Sequence, residues 1–215
     1  MKKVTAFLFS CPEDRHLAES AREGIRANGL EPVDVFDKNH EGIVAMEAEA
    51  LRGCKTEWAW FVHADSIPKP GCLKELLKMA NRGVGAVEAE LIHPDGSRAH
   101  FKFNKDLSES PAKCGPNPNS IHTVCTLFRT GLKLKHGYFP PKDFSQYYDD
   151  TWVSLSLAHD GWKLKHAAKA VASHVGSASD RLANPILRLK RRIQKRIAQK
   201  KFHAYWKGKV DFLGQ

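Results

Sequence analysis

The chain has no apolar stretch near the roughly 18–20 residues that a membrane-spanning helix needs. The runs at 4–9 and 58–62 are six and five residues long, which suits buried strands and excludes a transmembrane helix. Cysteine is sparse: Cys11, Cys54, Cys72, Cys114 and Cys125 form an odd, scattered set with no CxxC pair. A disulfide framework is therefore excluded, and reduced thiols in a cytosolic protein are expected. None of the eleven histidines has a zinc-site spacing joined to cysteines, which argues against structural zinc. There is no internal repeat. No glycine-rich loop bearing Lys or Arg follows the first apolar run, which counts against a nucleotidyltransferase. The start, Met1-Lys2-Lys3-Val4, leads into a strand and does not read as a signal peptide.

What is present is a charge asymmetry. The chain has 215 residues, with 34 Lys plus Arg against 24 Asp plus Glu and a net charge of +10. Residues 181–215 hold eleven of the bases and one acid, Asp211, so 23 of each sign remain in residues 1–180. The expected organisation is a neutral globular domain over 1–180 and a basic helical tail over 181–215. The high isoelectric point then describes the tail and is poor evidence that the body binds nucleic acid.

The pattern along the body alternates. Strands are expected at 4–9, 33–36 and 58–62. Helices are expected after Ser10-Cys11-Pro12-Glu13, which has the form of a capping box, then at 43–53 and at 71–81. This β-α-β-α-β-α order predicts a mixed, mostly parallel α/β sheet flanked by helices. Segments 84–92 and 97–103 flank the turn sequence Pro94-Asp95-Gly96 and read as a hairpin. Residues 104–120 read as a long loop. A strand at 123–128, a helix at 150–159 and short strands at 162–166 and 170–174 follow. From Pro185 onward, Ile186, Leu189, Ile193 and Ile197 share one face of a strongly basic helix.

In open α/β sheets, ligands gather beyond the carboxyl ends of the strands. Asp37 ends the second strand, Asp65 follows the third, and Asp149-Asp150 opens a helix, so carboxylates recur where a cation or a leaving phosphate would be handled. Any single one of these could be turn chemistry, or, for the pair, a charge complementing a helix dipole.

Four stretches in order carry a family resemblance. LRGCKTEWAWFVHADSIPKPGCLKELL (51–77) resembles the segment of family 2 glycosyltransferases in which an apolar strand runs into a DxD motif and then a P-x-P-x-x-L helix start. GAVEAELIHPDGSRAHF (85–101) resembles the central hairpin of that family. YYDDTWVSLSLAHDGWKL (147–164) is similar to the xED motif and its helix, and HAAKAVASHVGSAS (166–179) to the strand that ends in a single histidine. The resemblance covers about residues 4–179.

It implies a GT-A fold (Rossmann-like) and inverting transfer of a sugar from a nucleotide-sugar donor, foremost a UDP-sugar, to an acceptor hydroxyl. By that resemblance Asp150 is the general base, with Asp149 beside it. Ser10, Asp37, His63 and Asp65 face the donor nucleotide, and Asp65 and His174 hold a divalent metal, Mn2+ or Mg2+. Trp152, Gly137 and His136 belong to the acceptor side, where a glycan, a lipid-linked sugar or a protein would bind. The first DxD position is His63, an imidazole in place of a carboxylate, and the chain between Asp37 and Asp65 is shorter than is usual in the family. Trp58, Trp60 and Trp152 read as core packing before sugar stacking.

The tail has three readings: a solvated helix with its apolar stripe docked, an amphipathic helix on an anionic membrane at 185–209, and nucleic-acid binding. The last is disfavoured by thin aromatic interleaving. The expected setting is the cytoplasm or the inner membrane face. The rival readings of the whole chain are a GT-A domain that binds nucleotide or glycan without transfer, and a platform whose function lies in the basic tail.

Overall fold

A computed structural model describes residues 3–38, 42–98, 101–103, 106–107, 109–111, 115–141, 144, 147–176 and 183–210. Cys114 and five other residues of the sequence-predicted loop at 104–120, residues 181–182 and the last five residues of the tail lie outside them. The elements run β1 (Val4–Ser10), a 3-10 turn (Arg15–Leu17), α1 (Ala18–Arg26), β2 (Val33–Phe36), α2 (Ile43–Gly53), β3 (Trp58–His63), β4 (Ser66–Pro68) and α3 (Cys72–Met79). They continue with β5 (Val84–Ile92), β6 (Phe101–Phe103), β7 (Glu109–Pro111), β8 (Cys125–Arg129), α4 (Asp149–His159), β9 (Lys163–His174) and α5 (Pro185–Trp206).

Seven strands form one sheet in the order β2-β1-β3-β8-β5-β9-β4. Five point the same way, and β8 and β4 run against them. The continuous apolar runs of β1 and β3 require both faces of this sheet to be covered. Alternate side chains divide accordingly: Ala6, Leu8, Trp58, Trp60 and Val62 pack on one face against α1 and α3, while Phe7, Phe9, Ala59 and Phe61 pack on the other with α2 and α4. At Gly85 on β5 an added Cβ would come within 2.6 Å of the Leu157 side chain, so α4 needs a glycine to lie this close to the sheet.

Apart from β7, a strand inside the stretch 104–120 expected as a loop, the structure departs from the sequence-based expectation in four local places. The capping box does not form: Ser10 is the last residue of β1, its carbonyl accepts the Asp37 N–H at 2.9 Å, and α1 begins only at Ala18. Ladder pairing with β2 holds the Ser10 backbone extended, and Asp14 Oδ1 instead accepts the Cys11 N–H at 2.7 Å. The turn at 93–97 closes, with His93 N–H on Ser97 O at 2.8 Å, and among the described residues a single isolated bridge, Ile92 to Arg98, follows it. β6 then pairs with β7 in a separate two-stranded sheet. The two short strands near 162–174 are one strand, β9, whose irregularity opposite Ala89 and Glu90 mimics a break in the sequence pattern.

The fourth departure matters most for the site. Ser66–Pro68, for which the sequence pattern predicts no strand, is an edge strand paired antiparallel to the end of β9, with Ser66 opposite His174. Proline is tolerated at an edge because no ladder hydrogen bond is lost there. This pairing sets the loop carrying Asp65 beside His174, and Asp65 O accepts the Val175 N–H at 2.9 Å.

α5 packs on α4 through a third core of Ala198, Phe202, Trp206, Trp152, Leu155 and Phe144. Asn184 caps it, its side chain accepting the Leu187 N–H at 2.9 Å, and Pro185 opens the first turn. Among the described residues no helix is long and apolar enough to cross a membrane.

Candidate active site

A cleft of about 320 Å³ lies at the carboxyl ends of β1, β2 and β3. Ser10, Asp37, His63, Asp65, Asp149, Asp150 and His174 all line it. Residues spread over 165 positions of sequence are thus brought together by three strand ends, the β4–β9 pairing and the start of α4. Asp37 is buried, and one of its carboxylate oxygens accepts the Gly42 N–H at 3.0 Å, which ties down the approach to α2.

Asp65 and His174 face each other, with Asp65 Oδ2 3.6 Å from His174 Nε2. His174 Nδ1 is buried without a hydrogen-bond partner, and the ring lies 5.3 Å from that of His93. Among the described residues no cluster of three His, Cys, Asp or Glu forms a closed metal cage. A carboxylate and an imidazole side by side do suit a divalent cation that draws its remaining ligands from phosphate oxygens and water, as Mg2+ commonly does.

His63, at the first position of the DxD-like stretch, is held from the opposite side. Its Nε2 lies 2.9 Å from Glu47 Oε1, and Glu47, on α2, is fully buried. Burial pushes the Glu47 carboxyl up to about 7, helped by the nearby Asp149 charge and opposed by the hydrogen bond with His63. For His63 burial works against the charged ring, but Glu47, Asp65 and Asp149 outweigh it and raise the imidazole to about 9. The proton therefore sits on His63, and the position that would carry a negative charge in a DxD pair carries a positive one here.

The acid pair is presented by an unusual backbone. Tyr148, just before it, adopts a left-handed conformation at φ 70°, which costs a non-glycine residue free energy. Its ring stacks on Phe202 of α5 at 4.7 Å and 21°. Asp149 is buried and its Oδ2 accepts the Thr123 hydroxyl at 2.9 Å. Burial, the adjacent Asp149 carboxylate and Glu47 together raise the Asp150 carboxyl well above the ordinary range. A carboxylate pushed upward in this way is a stronger base than a free one.

Trp152, Gly137 and His136 are not brought to the cleft. Two residues past Asp150 on a helix is a turn of about 200°, so Trp152 points away, fully buried among Phe144, Phe202, Tyr205 and Trp206. Its indole N–H donates to His136 O at 3.0 Å. The His136 ring meets the Tyr205 hydroxyl at 2.8 Å, and Gly137 O accepts the Ser156 hydroxyl at 2.5 Å and borders a different cavity. These three residues dock α5 and the 132–139 segment onto α4.

Several residues that line or support the cleft escape sequence reasoning. Glu47 sits in an ordinary amphipathic helix, and only a buried acid in an apolar stretch hints at it. Arg191 stands in a run of bases, yet it alone of that run is buried. It lines the cleft with its guanidinium 3.6 Å from Glu13 Oε2. Glu88, buried on β5, accepts the His122 N–H at 3.0 Å and so shapes the cleft wall at 122–124; His122 and His166 hold its carboxyl low against the cost of burial.

Residues 2–197 match the family described as glycosyltransferase like family 2. No curated protein sequence matches the chain. Among solved structures the fold is similar to TarS from S. aureus, at a TM-score of 0.59 and 9% identity over 84% of this chain and 38% of that one. It is also similar to GalNAc-T7 solved with UDP, GalNAc and Mn2+, at 0.56 and 10% over 81% of this chain and 43% of that one. A third is the mannosyltransferase PcManGT from Pyrobaculum calidifontis in complex with GDP-Man and Mn2+, at 0.54 and 14% over 81% and 57%. The chain thus spans about two fifths of the first two proteins and under three fifths of the third, and at these identities the likeness is one of fold.

Proposed function

The chain belongs to glycosyltransferase-like family 2, and from that membership we propose that it transfers a sugar from a nucleotide-sugar donor to an acceptor hydroxyl with inversion at the anomeric carbon. One observation carries this reading. Asp37, Asp65, His174 and the adjacent acids Asp149 and Asp150, the last with its carboxyl raised, share a single cleft. A UDP-sugar is the first donor to test, because one structural neighbour was solved with UDP and Mn2+; GDP-Man, in another, is the second.

In this reading the donor lies over Ser10 and Asp37 with its diphosphate toward Asp65, His174 and His63. Asp65 and His174 would hold a Mn2+ or Mg2+ ion, which supplies Lewis-acid neutralisation of the leaving diphosphate. The imidazolium of His63, fixed by Glu47, and the guanidinium of Arg191 add two positive groups on the protein side. Asp150 accepts the proton of the acceptor hydroxyl as its oxygen bonds to the anomeric carbon. The bond to the diphosphate breaks on the opposite face, and the nucleoside diphosphate leaves with the electron pair. Asp149, anchored by Thr123, keeps the affinity of Asp150 for that proton high. Residues 1–180 are the transferase domain of this reading, and 181–215 its helical extension. The four described free thiols fit work in a reducing compartment on the cytoplasmic side. The acceptor is a glycan, a lipid-linked sugar or a protein.

The test joins two measurements. Melting is followed with UDP, GDP, dTDP and CMP and their sugars, each with Mn2+ and with chelator, since a ligand that binds only the native state raises the melting temperature. One nucleotide should give a metal-dependent shift that Asp65→Ala removes. Asp150→Asn should keep that shift and lose transfer by about 10²–10⁴-fold. A shift without turnover in the wild type would favour binding without transfer, and an active Asp150→Asn would remove Asp150 from the base role.

A further inference from the structure

We infer that the outer face of α5 is a docking surface for an anionic phospholipid bilayer. Among the described residues six large hydrophobic side chains are exposed, and four of them lie on this one helix: Ile186 at 82%, Leu189 at 60%, Ile193 at 52% and Ile197 at 48%. Their spacing puts them on a single stripe. The face that packs on the body, with Arg191, Ala198, Phe202 and Trp206, lies about 170° away around the helix. The aliphatic stripe therefore does not contribute to the fold. Exposed Lys190 borders it on one side, and Arg192, Arg196 and Lys200 on the other. α5 contains no acidic residue.

This chemistry selects among occupants. Aliphatic side chains flanked by bases suit a surface that is apolar within and negatively charged at its rim, which is the interface of an anionic leaflet. A second copy of the same face would bring bases against bases with no acid on the helix to pair them. Nucleic acid finds nothing to stack on: Phe202 and Trp206 are buried, and Tyr205 bonds to His136 and packs on Trp152. Because the same helix turns Arg191 into the cleft, docking would hold the cleft wall about one helix diameter, 10–12 Å, from the headgroups. The inference does not rest on sugar transfer.

The test is sedimentation of the full chain with vesicles of phosphatidylcholine alone and of a phosphatidylcholine–phosphatidylglycerol mixture, at low and physiological salt. The chain should bind the anionic vesicles, more weakly as salt rises, and leave the neutral ones. The double variant Ile193→Ser/Ile197→Ser should weaken binding on the order of 100-fold, and Arg196→Glu/Lys200→Glu by more than about tenfold. Both variants should keep the wild-type melting temperature, because the side chains are exposed. Asp150→Asn should bind vesicles as the wild type does, which separates this inference from the catalytic one. Any of four results would overturn it: no binding to anionic vesicles, equal binding to neutral ones, binding that survives both double variants, or a concentration-dependent dimer that Ile193→Ser/Ile197→Ser abolishes.

Discussion

The two faces of α5 differ in a way that hydrophobicity alone would assign backwards. The outward face carries three isoleucines and a leucine, while the inward face buries an arginine alongside Ala198, Phe202 and Trp206. The inner face also reaches the cleft twice. Arg191 lines it directly, and Phe202 stacks on the left-handed Tyr148 that launches the acid pair. Burial follows the shape of the docking surface: the ring-lined groove on α4 accepts flat aromatic side chains and leaves the aliphatic stripe in solvent. One helix thus has a face that belongs to the fold and the site, and another that belongs to neither.

The comparison breaks most sharply at Phe202. Phe202→Ala should cost about 3–5 kcal/mol of stability, read by thermal or denaturant unfolding. It should also slow transfer beyond any fraction unfolded, because Tyr148 loses the stack that holds its backbone. If Phe202→Ala melts like the wild type, α5 is not part of the folded unit.

Arg191 comes next. Arg191→Ala should weaken nucleotide-sugar binding about tenfold, the scale of one lost charge-assisted hydrogen bond, with Arg191→Lys between the two. Titration calorimetry decides, and unchanged affinity would leave Arg191 a purely structural partner of Glu13.

The acid pair that the inner face supports should also set the pH response. The folded protein raises the carboxyls of Asp150 and Glu47 above their unfolded values, so it binds more protons than the unfolded chain between about pH 4 and pH 7. Stability should therefore fall as pH rises through that window, while the transfer rate climbs as Asp150 ionises. Asp150→Asn should flatten the fall in stability and raise the melting temperature at neutral pH by about 2–4 °C, the shift that 1 kcal/mol gives in a chain of this size. A steeper fall in the variant would reverse the sign assigned to the pair.

The smallest effect is expected on the other face. Ile193→Ala or Ile197→Ala should change stability by no more than about 0.5 kcal/mol, measured in the same melts. A larger loss would mean that the stripe is buried against something in solution.

The main sheet was legible because its signals are local. Apolar runs at β1 and β3, turn residues after them, and acids just past the strand ends announce an α/β sheet with a ligand site at its carboxyl edge, and seven of the named residues do meet there. Illegible were the features that depend on a distant partner. β4 is three residues with a proline, and only β9 makes it a strand. Glu47 looks like any helix acid until α2 sets it 2.9 Å from His63. Trp152, which the resemblance puts on the acceptor side, is turned into the core by the pitch of α4.

What the sequence determined by itself was periodicity: which segments are strands or helices, which of their residues are apolar, and where carboxylates fall relative to strand ends. What only the tertiary structure decided was the surroundings of each side chain. Packing set His63 against the buried Glu47 carboxylate, raised the Asp150 carboxyl, drew one arginine of a basic run into the cleft and left four aliphatic residues outside. Periodicity is a property of neighbours along the chain, whereas burial and charge state depend on groups that meet only once the sheet and its helices have packed.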